Sequence, residues 1–337
     1  MKVISFSKYL AYMVGGAEKS TLEILKKESL HSQIQIISFD GVMGFGAKSK
    51  KVEFPGSWSV EFIKKVKLFN RFPFWEYFIN RKIVKKYFED INATDSILYT
   101  YALYAPIAIN SFSGNSKLFI RSESDLAINR NYMRGFKKYL KYIYMAIEYP
   151  AYCVYKSDLK KAIAKADVIC NSKYMADKLK ELHQKKCKVV YPFVDTVRLK
   201  QEYDIVKDEV KDRGIVFVGD AVIKGIETVK ELSLIMPNEK FYIFSRYVKE
   251  PTKEQNIIWM PWQKREVDIY KYANCVIVPS ICEEAYGRVS REAYELDIKV
   301  LVSNIGGLPE SLDYKKECIV DDYKNIEGWR ERLEKIC

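Results

Sequence analysis

The residues best placed to do chemistry lie in one stretch, Pro279-Ser280-Ile281-Cys282-Glu283-Glu284-Ala285-Tyr286-Gly287-Arg288-Val289-Ser290-Arg291-Glu292-Ala293. Seven residues separate Glu284 from Glu292. The stretch follows the apolar run Cys275 to Val278 and leads into helical sequence, so it occupies the carboxyl end of a strand, where open α/β sheets bind ligands. With Glu284 in the loop, Gly287 allowing close backbone approach and Glu292 about one turn into the helix, both carboxylates can face one crevice. The N–H groups of a helix start lie between them. Those donors and the helix dipole suit a phosphate, whereas carboxylates suit groups that donate hydrogen bonds, such as sugar hydroxyls. The spacing alone is a weak signal, since 27 glutamates in 337 residues make about two such pairs by chance. A first-turn glutamate is also a routine complement to a helix dipole.

The elements that must position these residues alternate short β-branched runs with longer amphipathic segments, the pattern of parallel sheets covered by helices. Strands are expected at Lys2 to Ser7, Gln33 to Phe39, Ser96 to Tyr99, Lys117 to Ile120, Val168 to Cys170 and Lys188 to Tyr191. A second set is expected at Gly214 to Gly219, Lys240 to Phe244, Asn256 to Trp259, Cys275 to Val278 and Lys299 to Val302. The expected fold is therefore α/β with two doubly wound sheets. Tyr191-Pro192-Phe193-Val194-Asp195 breaks the pattern and marks the hinge, giving domains 1–192 and 193–337.

Length and composition agree with two globular domains. The chain has 337 residues, 48% hydrophobic and 30% charged, and lacks the run of about 18 apolar residues that a membrane span needs. Met1 to Ser7 lead directly into strand-like sequence, so no signal peptide is read and a cytoplasmic location is expected. Seven cysteines (153, 170, 187, 275, 282, 318 and 337) are odd in number and scattered, and the only histidines are His31 and His183. This excludes a disulfide framework and argues against zinc. His31 falls in an expected turn and His183 at an expected helix end, and both read as structural.

The net charge of +12 is unevenly spread: 33 basic against 18 acidic residues up to 195, then 23 against 26. The first half would attract nucleic acid, anionic lipid headgroups or phosphorylated substrates; the competing reading is a lysine-rich composition whose solvated charges bind nothing. Ser57 to Phe88 and Asn131 to Tyr155 mix aromatics with lysine and arginine, which admits two readings: interfacial helices that touch an anionic membrane surface, or ordinary helices whose aromatics are core and whose lysines form the solvated face.

Beyond chance spacing, the segment from Glu284 to Glu292 resembles the E-x7-E signature of the retaining glycosyltransferases of the GT-B fold, family 4 (group 1). The likeness runs through the chain in order: Gly15-Gly16-Ala17-Glu18 after the first strand, Ala166-Asp167-Val168-Ile169-Cys170-Asn171-Ser172, Val190-Tyr191-Pro192-Phe193-Val194-Asp195, Phe217-Val218-Gly219, Lys224-Gly225, Pro279-Ser280 and Gly306-Gly307-Leu308-Pro309-Glu310. The resemblance implies two Rossmann-like domains facing each other across a cleft, the first holding an acceptor and the second a nucleotide sugar. By the same resemblance, Lys224 is the phosphate-binding lysine, stabilising the leaving group. Glu292 accepts from ribose hydroxyls and Glu284 contacts the transferred sugar. Gly15 and Gly16 let backbone approach the diphosphate, and Tyr286, Gly287 and Arg288 line the donor.

Three departures qualify the resemblance. The family places arginine after the second-domain strand glycine, where this chain has Asp220; Arg288, then Arg246, are the candidate replacement cations. Many members carry a histidine after the strand ending at Ile120, where this chain reads Arg121-Ser122-Glu123-Ser124-Asp125, so Glu123 and Asp125 are the candidates to orient the acceptor. The last helix, expected over Glu327 to Ile336, is short.

No D-x-D motif occurs where a metal would bridge a diphosphate, and Asp321-Asp322 reads as a helix cap, so metal-independent activity is expected. The expected function is a retaining transfer from a UDP- or GDP-sugar, with no other cofactor, to an anionic or membrane-associated acceptor such as a lipid-linked glycan. The enzyme would be cytoplasmic or peripheral on the inner face of a membrane, and nucleic acid is not expected as a partner. The alternatives are a non-catalytic lipid- or nucleic-acid-binding relative, which Asp220 favours, and a nucleotide-sugar epimerase, which would need acid and base residues not located here.

Overall fold

The computed structural model describes residues 1–12, 16–40, 53–68, 72–122, 125–126 and 137–336. The chain divides into two units, Met1–Tyr191 and Pro192–Cys337.

The first unit is built on seven parallel strands: β1 (Lys2–Phe6), β2 (Gln33–Phe39), β3 (Ser59–Ile63), β4 (Ser96–Tyr101), β5 (Asn115–Ile120), β6 (Asp167–Cys170) and β7 (Lys188–Val189), in the order β3-β2-β1-β4-β5-β6-β7. Both faces are covered, which is why β1 and β2 read as nearly continuous apolar runs. Val3 points to the face where Leu25 of α1 (Gly16–Glu28) packs with Tyr99 and Phe119. Phe6, on the opposite face, meets Phe88 of α2 (Pro73–Asp90) at 5.0 Å. With α2 pack α3 (Ala105–Ser111) and the long α4 (Lys137–Lys165). Asp158 of α4 locks this layer, accepting from Tyr77 Oη at 2.7 Å and from Arg81 Nε and Nη2 at 2.6 and 3.1 Å. Glu148 of α4 accepts from Phe74 N at the start of α2, where Phe72 supplies no side-chain cap.

The stretch from Ser57 to Phe88 is thus not one interfacial helix. Its first part is β3, and Trp58, Phe74, Tyr77 and Phe88 are buried. The outer face of this layer nevertheless exposes Phe78, Tyr142, Ile143, Ile147 and Tyr149. Within Asn131 to Tyr155, residues 131–136 lie outside the described residues. Among the described residues no helix is long and apolar enough to cross a membrane.

Two of the signature segments serve as helix caps. Ser172 Oγ accepts from Met175 N at 3.1 Å and opens α5 (Lys173–His183). Asp195 Oδ1 accepts from Arg198 N at 3.1 Å and opens α6 (Thr196–Val206). His31 lies in a turn and His183 ends α5.

The second unit carries β8 (Gly214–Val218), β9 (Phe241–Ser245), β10 (Thr252–Glu254), β11 (Ile257–Pro261), β12 (Ala273–Val278), β13 (Lys299–Ser303) and β14 (Ile319–Val320). Their order is β10-β11-β9-β8-β12-β13-β14, and only β10 runs antiparallel to its neighbour. Alternate residues divide between two cores. Val216, Val276, Val278, Val300 and Val302 pack with α6, α8 (Val267–Tyr270), α9 (Arg288–Glu295) and α10 (Leu308–Ser311). Ile215, Phe217, Cys275, Ile277 and Leu301 pack with α7 (Ile226–Ile235) and with Trp329 and Leu333 of α11 (Ile326–Ile336). Strand order reverses direction between β8 and β12, the switch point of a doubly wound sheet.

Candidate functional site

At that switch point the chain leaves β8 through Gly219 and Asp220, turns through the 3-10 segment Val222–Lys224 and enters α7 at Gly225. Gly225 has φ +90°, and a Cβ there would lie 1.9 Å from Pro279 O. Only glycine allows this approach, which brings the turn onto the loop leaving β12. Ile281 N donates to Ile223 O at 3.0 Å across the same junction. The result places Lys224 Nζ 2.8 Å from Glu284 Oε2, while Glu284 Oε1 accepts from Ser280 Oγ. Burial pushes the Glu284 carboxyl up, but the Lys224 ammonium and the Ser280 hydroxyl outweigh it and hold the group below its ordinary value. For Lys224 burial acts downward, and the Glu284 carboxylate reverses it, leaving the ammonium more firmly protonated.

A glycine pair supports the acidic loop from behind. Gly307 N donates to Glu284 O at 2.7 Å. A Cβ on Gly306 would meet Glu284 O at 2.5 Å, and one on Gly307 would meet Ala285 O at 2.3 Å. The loop then enters α9 through Gly287, at φ +111°, where a Cβ would crowd Ser290 Oγ at 2.6 Å. Ser290 Oγ donates to Gly287 O and lies 2.7 Å from Ser311 Oγ, fixing the first turn. The first N–H groups of α9 have no carbonyl one turn back and point out of the helix start beside Tyr286, which is buried.

Glu292 lies one turn further on and is 6% exposed. Its Oε1 accepts from Arg288 Nε and Nη2 at 3.2 and 2.9 Å, and its Oε2 from Tyr270 Oη at 2.8 Å. Burial raises the Glu292 carboxyl above its ordinary value despite the Arg288 guanidinium. Each carboxylate of the signature is therefore held by its own cation. Arg288, the expected replacement for the missing arginine, spends two nitrogens on Glu292; its Nη1 is buried without a hydrogen-bond partner among the described residues. Asp220 turns toward the end of β9, where its Oδ2 accepts from Ser245 Oγ at 2.6 Å and Arg246 N at 3.3 Å. The Arg246 guanidinium lies 4.7 Å over the Trp262 ring.

In the first unit Gly16 is the exposed first residue of α1; Gly15 and Glu123 lie outside the described residues. Asp125 is 9% exposed, and its Oδ2 accepts from Arg121 N at 2.9 Å and Ser122 N at 3.0 Å, closing the turn after β5. Burial pushes its carboxyl up to about 6. Sequence reasoning passed over Arg121, whose Nη1 donates to Ala17 O and Thr21 Oγ1 at the start of α1 and whose guanidinium lies 4.7 Å over Tyr101. The signal was available: a lone arginine directly after an apolar strand. Among the described residues no group of three or more His, Cys, Asp or Glu side chains is placed to hold a metal ion.

Residues 200–337 match the family model described as glycosyl transferases group 1. Among solved structures, a glycosyltransferase from Rickettsia africae aligns over 99% of this chain and 87% of its own, at 15% identity and TM-score 0.61. Sucrose-phosphate synthase from Thermosynechococcus elongatus aligns over 100% and 90%, at 12% identity and TM-score 0.69. Anabaena Alr3699/HepE in complex with UDP and glucose aligns over 100% and 91%, at 13% identity and TM-score 0.61. At these identities the shared property is the fold, two Rossmann-like domains of the GT-B kind. No curated protein matches the sequence.

Proposed function

We propose that this protein, whose residues 200–337 match the glycosyl transferases group 1 model, is a glycosyltransferase that moves a sugar from a nucleoside diphosphate sugar to an acceptor with retention at the anomeric carbon. The observation that carries the reading is the Lys224–Glu284 pair at 2.8 Å, held on a glycine-backed loop at the switch point of the second sheet. An ammonium has three donors and Glu284 uses one, so Lys224 can meet the leaving diphosphate while still orienting the carboxylate. Glu284 then receives hydroxyls of the transferred sugar, and Glu292 receives the ribose. The N–H groups opening α9, beside Tyr286, Gly287 and Arg288, approach the diphosphate. The bond from the anomeric carbon to the phosphate oxygen breaks, the acceptor oxygen bonds to the same face, and the acceptor's proton passes to the departing phosphate oxygen. No metal is assigned a part.

The first unit is proposed to hold the acceptor, with Glu123 and the turn closed by Asp125 orienting it. The exposed Phe78, Ile143, Ile147 and Tyr149 and the basic character of this half support an anionic, lipid-linked acceptor reached at a membrane surface. Asp220, the feature that favoured a decayed site, has a structural partner in Ser245.

The neighbour that holds UDP supports UDP-glucose as the first donor to try. The test is a melting screen with UDP, GDP and ADP, followed by transfer assays with the sugars of the nucleotide selected. A selective rise in melting temperature that Lys224→Ala abolishes is expected. No response to any nucleotide diphosphate would refute the reading.

A further inference from the structure

Tyr270 ends α8 and is 1% exposed, yet its hydroxyl reaches into the signature. It donates to Glu292 Oε2 at 2.8 Å, with Val289 O a longer 3.3 Å away. A carboxylate offers about four lone-pair sites. Two Arg288 nitrogens occupy Oε1 and Tyr270 occupies one site on Oε2, so one acceptor site is left, on the oxygen that Tyr270 holds. A glutamate side chain has three rotatable torsions, and the two partners pin it from opposite oxygens.

We propose that Tyr270 is a positioning residue for nucleotide recognition, fixing Glu292 Oε2 so that it accepts one ribose hydroxyl. This rests on the reading that Glu292 meets the ribose. The donor bond from Tyr270 also favours the ionised form of Glu292, against the burial that raises its carboxyl. The other charged groups facing that carboxylate are Arg288 on its own helix, which favours the charge, and Glu266 before α8, which opposes it and lies 3.7 Å from Arg198.

The experiment measures binding of the nucleotide selected by the melting screen, UDP or GDP, and of its 2′-deoxy and 3′-deoxy forms, by calorimetry on the full chain. In the parent protein one deoxy form should bind roughly tenfold more weakly, the loss of one hydrogen bond to a charged group. Tyr270→Phe should weaken the parent nucleotide by a similar factor, shrink the discrimination against that deoxy form to about twofold, and move the acidic limb of binding toward neutral pH. Should the variant not fold, Tyr270→Leu keeps an apolar side chain without the donor. Equal weakening of all three nucleotides with the ratio intact would mean Tyr270 is merely packing and would overturn the proposal. Unchanged binding in Tyr270→Phe alongside lost binding in Glu292→Gln would overturn it while leaving the ribose reading standing. Unchanged binding in Glu292→Gln would remove both.

Discussion

Asp125→Asn isolates a buried charge in the first unit. The parent carboxylate is 9% exposed and is pushed from its ordinary 3.8 to about 6 by burial, against the pull of the Arg121 and Ser122 N–H groups. A group whose folded pKa is raised favours the fold in its protonated form. Its contribution is complete below the unfolded value and is lost as the pH rises through about 6. A displacement of about 2 units corresponds to about 3 kcal/mol at neutral pH and above. The asparagine oxygen can accept the same two backbone N–H groups without titrating. The variant should therefore be more stable than the parent by about 2–3 kcal/mol at about pH 8 and match it within about 0.5 kcal/mol near pH 4. Urea titrations at several pH values, reading the transition of the first unit, measure the difference. A difference that stays constant across that range would refute the argument, because only the titration of Asp125 makes it vary.

Two further substitutions test the framework. Gly225→Ala would put a Cβ 1.9 Å from Pro279 O at φ +90°, so the turn carrying Lys224 must shift. Thermal unfolding should report a loss of more than about 2 kcal/mol, and transfer activity should fall at least tenfold even where the protein is folded. Asp158→Ala would strand the Tyr77 hydroxyl and the Arg81 guanidinium between α2 and α4; because Arg81 is partly exposed, about 2–3 kcal/mol is expected in urea unfolding, with nucleotide binding by the second unit unchanged.

The strands buried on both faces were legible because burial forces apolar β-branched runs. Those expectations miss β3, β10 and β14 for identifiable reasons. β10 reads Thr252-Lys253-Glu254 and is wholly exposed at an edge, and β14 is two residues long. In β3 the alternation Ser59-Val60-Glu61-Phe62-Ile63 is masked by the aromatics and lysines that follow it. In the site, Gly287 was legible as a point of close backbone approach, whereas Gly225, Gly306 and Gly307 were legible only through the resemblance, and their support of the loops is seen in the contacts a Cβ would make. The partners of the acids were not. Tyr270 and Glu292 are 22 residues apart, and a helix-terminal tyrosine carries no mark of where its hydroxyl ends. Asp220 read as a defect in a phosphate site because its partner, Ser245, lies on another strand.

The distribution of charge gives a last prediction, because the basic half and the proposed phosphate site are not the same half. Residues from 196 onward carry 23 basic against 26 acidic side chains, and the two cations that hold the signature's carboxylates are already paired, Lys224 with Glu284 and Arg288 with Glu292. The formal charge of that half gives a diphosphate no long-range attraction, so under the proposed reading it would be held by short-range contacts with amide N–H groups and with the unused donors of those two side chains. Contacts of that kind lie well inside the Debye length, which is about 10 Å at 0.1 M salt, and are screened little. The first half, with 33 basic against 18 acidic residues, would draw the proposed anionic acceptor through a long-range field that salt removes. Raising salt from about 0.05 to 0.5 M should therefore increase the KM for an anionic acceptor severalfold and leave the KM for the donor within about twofold. A donor KM that climbs as steeply as the acceptor KM would place the governing cations in the second unit and undo the division of labour argued here.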